Sequence, residues 1–163
     1  MDHEHATTVR FAACDPQSPE AIAAMTAYFD ELDARFVDGF DPGDTLTTDA
    51  AQFRKPSGSF LLGRSSDQVV SCGGVYVLEP TVVEIKRMWV APAARGKGVG
   101  AATLAHLETA ALELGATTVY LDTNSVLQEA IALYTSRGYV SIEAYNDNPY
   151  AQRWFAKELA ASQ

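Results

Sequence analysis

The segment from residue 82 to residue 115 most constrains the fold, because its pattern predicts a strand, a glycine-rich turn and a helix in direct succession. The strand, residues 82–90, is rich in β-branched and other apolar side chains. Three glycines then occur at alternate positions, Gly96, Gly98 and Gly100, and the helical pattern that follows ends near Gly115. The chain is therefore expected to form a turn with few side chains at the start of a helix.

This turn has the properties of a site for a phosphorylated ligand. The first turn of a helix leaves backbone N–H groups unpaired, and the positive end of the helix dipole lies behind them. Glycine lets a bulky anion approach these groups, and Arg95 and Lys97 add positive charge. We therefore expect the turn to bind a pyrophosphate.

The spacing of Arg95, Gly98 and Gly100 after a strand that ends in Val90 resembles the acyl-CoA loop of the GNAT superfamily of acyl-CoA-dependent N-acetyltransferases. Residues 121–139 are similar to that family's second conserved block, and residues 145–159 resemble a bacterial small-molecule-type branch. The resemblance implies acetyl-CoA as cosubstrate, with loop amides on the pyrophosphate and the preceding strand along the pantetheine arm. The cofactor-binding residues that it implies are Met88, Trp89, Val90, Arg95, Gly96, Lys97, Gly98, Val99, Gly100 and Asn124.

Two other interpretations of the turn stay open at this point. The glycines also fit a dinucleotide-binding fingerprint, with Asp122 as the acidic residue about 20 positions on. Five residues, 91–95, separate the strand from the first glycine, whereas in a Rossmann unit the glycine follows the strand almost directly. A catalytically silent CoA-binding module is the other alternative.

Glu84 and Tyr134 are the candidate catalytic residues. An amine that attacks a thioester must lose a proton, and Glu84 stands eleven positions before Arg95, where the resemblance places a glutamate base. The alternative for Glu84 is an ion pair with Lys86 or Arg87. The resemblance makes Tyr134 the proton donor to the CoA thiolate. The alternative is that the Tyr134 ring packs in the core and its hydroxyl contacts solvent.

The resemblance also places acceptor contacts in the first helix, the loop after it and the segment near residue 145. An aromatic wall with carboxylates suits a cationic amine, whereas Arg35 would suit a substrate carboxylate. For Asn124, a role as a helix cap competes with contact to the pantetheine, and Ser125 competes for that cap. The predicted substrate-binding residues are Glu31, Arg35, Phe40, Asp41, Tyr145, Asn146 and Tyr150.

The order of predicted elements indicates an α+β domain. A strand from Thr7 is followed by a helix with Ser18 as its cap, a loop at residues 39–49, and strands at 60–64, 69–78 and 82–90. After the glycine turn and its helix come a strand, a helix opened by a Ser125–Gln128 capping box, and two strands. This is the order of the GNAT fold, a mixed, mostly antiparallel sheet of six to seven strands flanked by about four helices.

The length and charge of the chain limit its domain organisation and the partners it can bind. The 163 residues predict one domain. The resemblance implies that it is an N-acetyltransferase domain, with an acceptor-side lobe at 1–60 and an acetyl-CoA-binding core at 82–138. The formal net charge of −9 argues against a nucleic-acid partner. Eleven acids against four bases in residues 1–60 would attract a small-molecule amine acceptor, unless this acidity only confers solubility.

Several absences in the sequence complete the prediction. No apolar run is long enough to span a membrane, and the start of the chain does not resemble a signal peptide, so a cytoplasmic protein is expected. Cys14 and Cys72 are expected as buried thiols. His3 and His5 form only a weak pair, so no metal is expected. The resemblance makes a homodimer one option for the assembly, although the sequence shows no interface.

Overall fold

A computed structural model describes residues 8–159 of the chain. Thr7, His3 and His5, which the sequence analysis named, lie outside this range. Within it, four α-helices and two 3₁₀ turns surround seven strands. The helices are α1 (Pro19–Arg35), α2 (Thr45–Thr48), α3 (Val99–Glu113) and α4 (Gln128–Ser136), and the 3₁₀ turns are Ala50–Phe53 and Pro92–Ala94. The strands are β1 (Val9–Cys14), β2 (Gly58–Ser65), β3 (Gln68–Glu79), β4 (Val82–Val90), β5 (Thr118–Thr123), β6 (Val140–Ile142) and β7 (Arg153–Glu158).

The strands form one mixed sheet in the order β1-β2-β3-β4-β5-β7-β6. Neighbouring strands are antiparallel except β4 and β5, which are parallel. The β4–β5 pairing covers only three positions and ends at Glu84 opposite Tyr120. Beyond that point the two strands are no longer paired, so a slot opens in the middle of the sheet. The predicted α+β class and the mixed, mostly antiparallel sheet are confirmed.

A β-bulge lies in β4 beside this slot. Cys72 pairs with Trp89 and Gly74 pairs with Lys86, so two residues of β4, Arg87 and Met88, oppose the single residue between Cys72 and Gly74 on β3. Arg87 has φ +61°, in the left-handed region that side chains other than glycine rarely adopt. The bulge turns the Arg87 side chain away from the regular alternation of the strand.

Other groups approach the backbone closely at the glycine pair of β3, Gly73 and Gly74. A Cβ atom at Gly73 would lie 2.6 Å from the Leu107 side chain, on the α3 face of the sheet. A Cβ atom at Gly74 would lie 2.5 Å from the ring of Phe53, on the opposite face. Because glycine has no side chain, β3 can pack tightly against both layers.

Apolar side chains cover both faces of the sheet. On one face, α3 packs its buried leucines Leu104 and Leu107 against Val75, Val83 and Val119. On the other face, α1 and the 3₁₀ turn at Ala50–Phe53 form a second core; its buried members include Met25, Phe29, Phe53, Phe60 and Leu62. The slot between β4 and β5 therefore has a packed layer on each side.

Two local predictions need correction. The predicted capping box does not form, because α4 begins at Gln128 after Leu127 and no side chain caps it. Instead the backbone N–H of Ser125 donates to the Gln152 side chain, which holds Ser125 out of the cap position. The predicted loop at residues 39–49 contains α2. By contrast, the Ser18 cap is confirmed, since its hydroxyl accepts the Ala21 N–H at 3.3 Å.

Candidate active site

A cavity of about 400 Å³ lies where β4 and β5 separate. Its walls come from α1, the segment around α2, the bulged end of β4, the end of β5, α4 and residues 148–151. Met88 and Tyr134, which pack in the core beneath α3, line the cavity on one side. Tyr28 and Tyr76, which pack against the second core beneath α1, line it on the other side. The volume is that of a small-molecule site, and the mixture of aromatic and charged walls allows it to hold a polar reacting group.

The glycine turn lies directly after β4 and leads into α3. Gly96 and Gly98 have φ values of +78° and +81°, so both need the left-handed conformation that glycine adopts at little cost. No other group lies within 4 Å of the Cβ positions of these two glycines, so the space beside them is open. No hydrogen bond between described residues uses the backbone N–H groups from Gly96 to Gly100. These features fit the diphosphate of a CoA molecule at the start of α3.

Tyr134 brings a phenol into the cavity from α4. Tyr134 is 7% exposed, and its hydroxyl has no hydrogen-bond partner among the described residues. Burial raises the pKa of Tyr134 above its ordinary value, and the negative charge of Asp122 raises it further. The phenol is therefore protonated at neutral pH, as a proton donor must be.

Glu84 lies beneath the cavity wall and does not face the cavity directly. It is 1% exposed, and its carboxylate accepts hydrogen bonds from the hydroxyls of Tyr76 and, at 2.5 Å, Tyr145. Lys86 Nζ is 3.6 Å from the same carboxylate, so the ion pair that the sequence suggested as an alternative is present. Tyr76 lines the cavity, so its hydroxyl connects the cavity with Glu84.

Residues 20–139 match the Acetyltransferase (GNAT) family. The chain belongs to this family. It is 32% identical over 117 residues to a protein named IAA acetyltransferase from Azospirillum brasilense, and the match covers 71% of this chain and 76% of that protein. A solved structure from Klebsiella pneumoniae, provisionally named an acyl-CoA N-acyltransferase, superposes with a TM-score of 0.76 at 29% identity, over 94% of this chain and 99% of the other.

The structural neighbours of this GNAT chain include structures solved with coenzyme A or acetyl-CoA bound. The PaiA N-acetyltransferase from Thermoplasma acidophilum, in complex with coenzyme A, has a TM-score of 0.72. The superposition covers 93% of this chain and 99% of that one, at 10% identity, and so compares the folds alone. With the family match, these relatives identify the chain as an acyltransferase of the GNAT fold.

Arg95 does not extend freely from the turn of this GNAT protein. Its Nε donates to the carbonyl of Val90 at 2.9 Å, and its guanidinium pairs with Glu31 of α1 at 2.5 Å. Trp89 Nε1 donates to the same Glu31 carboxylate at 3.2 Å. Lys97 is exposed and has no ion-pair partner among the described residues. Lys97 and the backbone amides are therefore the donors that remain available at the turn.

Arg35 also lies outside the cavity wall. It pairs with the Glu129 carboxylate at the start of α4, donates to the carbonyl of Val126 at 3.0 Å, and lies 3.5 Å from Glu31. Glu31 and Arg35 were predicted to contact the acceptor. In the structure they instead join α1 to the turn after β4 and to the start of α4.

The other predicted acceptor residues fall into two groups. Phe40, Asp41 and Tyr150 line the cavity, with the rings of Phe40 and Tyr150 4.6 Å apart and the Tyr150 hydroxyl accepting the Asp41 N–H at 3.2 Å. Tyr145 and Asn146 stand behind the wall. Tyr145 binds Glu84, and Asn146 Nδ2 donates to the Asp122 carboxylate at 2.7 Å.

Asn124 lines the cavity after β5. Its side chain accepts the Val126 N–H at 3.0 Å and donates to the Tyr150 carbonyl at 2.9 Å. It therefore shapes the turn before α4 and does not cap the helix. Among the described residues no group of three or more acids, histidines or cysteines could hold a metal ion. In the same range no helix is long and apolar enough to cross a membrane.

Several wall residues were missed by the sequence analysis. Asp122 is paired with Lys86 at 3.4 Å, and Arg87 is paired with Asp49 at 3.1 Å. Tyr76 is the cross-strand partner of Glu84. Counting residues back from the turn between β3 and β4 could have found Tyr76. The contacts of Arg87 depend on the bulge and on α1, and no local pattern marks them.

Proposed function

We propose that this protein transfers an acetyl group from acetyl-CoA to a primary amine of a small molecule by direct attack in a ternary complex. The observation that carries the proposal is the position of the cavity. It lies at the point where β4 and β5 separate, is lined by residues of the acidic lobe at 1–60, and is bounded by β4, the strand that leads into the glycine turn. A thioester and an amine can meet there without a covalent enzyme intermediate.

The chain's residues supply three functions for this reaction. The amides from Gly96 to Gly100 hold the diphosphate, and backbone N–H groups of the Met88–Val90 segment polarise the thioester carbonyl. The amine nitrogen forms a bond to the carbonyl carbon, and the bond from carbon to sulfur then breaks. Tyr134 donates its phenolic proton to the departing thiolate.

The amine proton leaves through Tyr76. Tyr76 lines the cavity and its hydroxyl donates to Glu84, so we assign to this hydroxyl the role of accepting a proton from the amine as it passes its own proton to the carboxylate. Glu84 is thus the final proton acceptor, and Tyr145 and Lys86 hold its carboxylate in place. A water molecule between amine and Tyr76 is compatible with the same path.

The charges of the cavity wall favour an amine acceptor. Three carboxylates line it, from Asp41, Asp49 and Asp122, against two cations, Lys86 and Arg87. Glu84 adds a further negative charge just behind the wall. An excess of negative charge attracts a protonated amine before it is deprotonated for attack.

The first experiment titrates the purified protein with acetyl-CoA, CoA and NADH by calorimetry. We expect micromolar or tighter binding of acetyl-CoA and CoA and no signal with NADH. An amine panel scored by thiol release then tests transfer. CoA binding without thiol release from any amine would favour a silent CoA-binding module, and NADH binding without CoA binding would favour the dinucleotide interpretation.

Tyr134→Phe tests the proton donor. We expect kcat to fall by about 10²-fold or more, because general acid catalysis contributes on that scale, with the dissociation constant for CoA little changed. Tyr139→Phe is the matched control, since Tyr139 lies in the same core but gives its hydroxyl to Glu108 at 2.8 Å. An unchanged kcat in Tyr134→Phe would contradict this role.

A further inference from the structure

The acceptor side of the cavity holds an unusual arginine. Arg87 is the one arginine among the described residues that line the cavity, and its side chain is 10% exposed. It is an extra residue of the β4 bulge, held at φ +61°. Strained backbone of this kind persists where the surrounding structure enforces it and is concentrated at functional sites. Its hydrogen-bond, ion-pair and cation–π partners come from the lobe at residues 1–60, namely Met25, Phe29, Asp49 and Phe53.

The guanidinium of Arg87 has more donors than the protein has acceptors for them. It offers five N–H groups. One donates to Asp49 at 3.1 Å, and another points to the thioether sulfur of Met25 at 3.2 Å, which is a weak acceptor. The centroids of the Phe29 and Phe53 rings lie 5.3 and 5.2 Å from its central carbon. The remaining donors have no acceptor among the described residues, and because Arg87 lines the cavity they are available to a ligand there.

The other cations near the cavity are already neutralised. Lys86 lies within 3.6 Å of two carboxylates, Glu84 and Asp122. Arg35 and Arg95 pair with acidic side chains outside the cavity wall. Arg87 has a single counter-charge, Asp49, whose side chain is 36% exposed and therefore hydrated. Of the cations around the cavity, Arg87 is the one equipped to bind an anion.

We propose that Arg87 binds a carboxylate of the acceptor, and that the acceptor is an amino acid with an apolar or aromatic side chain. This inference rests on the proposed acetyl transfer to an amine. The guanidinium gives a carboxylate two parallel, charge-assisted hydrogen bonds. The adjoining rings of Phe36, Phe40 and Tyr150 supply the surface for an apolar side chain, with centroids 4.6 to 6.0 Å apart.

Matched pairs of amines that differ only by a carboxylate test the proposal. L-phenylalanine is compared with 2-phenylethylamine, and L-leucine with 3-methylbutylamine, by thiol release with acetyl-CoA. We expect kcat/KM to be at least about tenfold higher for each amino acid, the effect of one charge-assisted contact. In Arg87→Met the preference is lost, and in Arg87→Lys, which keeps the positive charge if the Met variant folds poorly, part of it remains. Arg64→Met, which removes an arginine paired with Glu20 away from the cavity, keeps the wild-type preference.

A binding measurement separates this inference from the proposed function. Calorimetry compares 3-phenylpropionate with 3-phenylpropanol, which has the same shape without the charge. We expect at least about tenfold tighter binding of the carboxylate to the wild type and no such difference in Arg87→Met. Equal binding of the two compounds, or equal turnover of both members of each amine pair, overturns the assignment. If CoA binds but no amine is acetylated, the proposed function fails, and the calorimetric comparison still decides the role of Arg87.

Discussion

Two arginines on one stretch of chain, Arg87 and Arg95, occupy opposite situations. Arg87 is nearly buried between two aromatic rings, has one carboxylate partner and lies at a bulge. Arg95 is 38% exposed, directly precedes the glycines of a recognisable motif, and donates to a carbonyl and a carboxylate. The motif predicted Arg95 as a binding residue, whereas the arginine that lines the cavity is Arg87.

This difference shows what a loop motif specifies. The motif requires a backbone conformation, and Gly96 and Gly98 adopt it as expected. It does not determine where a long, flexible side chain beside the glycines will find a partner. That depends on α1, more than 60 residues earlier, which places Glu31 next to Arg95.

Removing the buried cation is expected to have the largest effect on stability. Arg87→Met leaves Asp49 without its partner and removes two cation–π contacts, so the free energy of unfolding should fall by roughly 2–3 kcal/mol. Urea unfolding followed by circular dichroism measures this change. Arg95→Met is the matched control, and equal losses in the two variants would erase the distinction between the two sites.

The turn near Arg95 depends on backbone conformation more than on charge. Gly98→Ala forces an alanine to φ +81°, which costs roughly 1–2 kcal/mol, although no atom stands in the way of the new methyl group. Gly100→Ala is the control, because Gly100 is not in the left-handed region and its new Cβ meets only the side chains of Leu133, at 3.3 Å, and Val90, at 3.9 Å. Thermal unfolding of both variants, with CoA titration, tests this, and a larger loss in Gly100→Ala would contradict it.

Arg95 itself should contribute little to stability. Its pair with Glu31 is partly exposed, so Arg95→Met should lower the free energy of unfolding by less than about 1 kcal/mol. The difference from wild type should shrink further in 1 M salt, because exposed ion pairs are screened. Denaturation at low and high salt checks this. A loss that high salt leaves unchanged would indicate that packing, and not charge, holds Arg95.

The smallest expected effect is a pH dependence of the same pair. Partial burial raises the pKa of Glu31, but hydrogen bonds from Arg95 and Trp89 and the charge of Arg95 lower it more, so the net pKa is below its ordinary value. A carboxylate with a lowered pKa stabilises the fold above its unfolded pKa of about 4.3, and this contribution is lost as pH falls through the folded value. Glu31→Gln should therefore differ from wild type by a few tenths of a kcal/mol to about 1 kcal/mol at pH 7 and progressively less below about pH 4. Unfolding curves across this range measure the difference, and a difference that grows toward acid pH would show that the pKa shift has the opposite sign.

Much of the fold could be predicted because its signals are local. The strand at residues 82–90, the helix cap at Ser18 and the glycines of the turn follow from spacing and from the conformations that those residues allow. The capping box at Ser125 failed because a distant side chain, Gln152, competes for the same backbone group. A local pattern cannot reveal such a competitor.

The site was predictable only in part, for a related reason. Tyr134 lines the cavity, Glu84 lies behind its wall and accepts a hydrogen bond from Tyr76, and the chemical roles of both remain predictions. Tyr76 and Asp122 approach them through strand register, and Arg87 is turned into the cavity by a bulge. These three depend on pairing between strands, which sequence periodicity specifies less strictly than it specifies a turn.

Helix α1 contacts both halves of the proposed site. Phe29 contributes to the acceptor wall, while Glu31 and Arg35, within two turns of the same helix, bind the turn after β4 and the start of α4. A ligand that shifts α1 from either side would alter the surroundings of the other ligand. Coupling of this kind is reciprocal: whatever factor CoA imposes on the affinity for the acceptor, the acceptor imposes on the affinity for CoA.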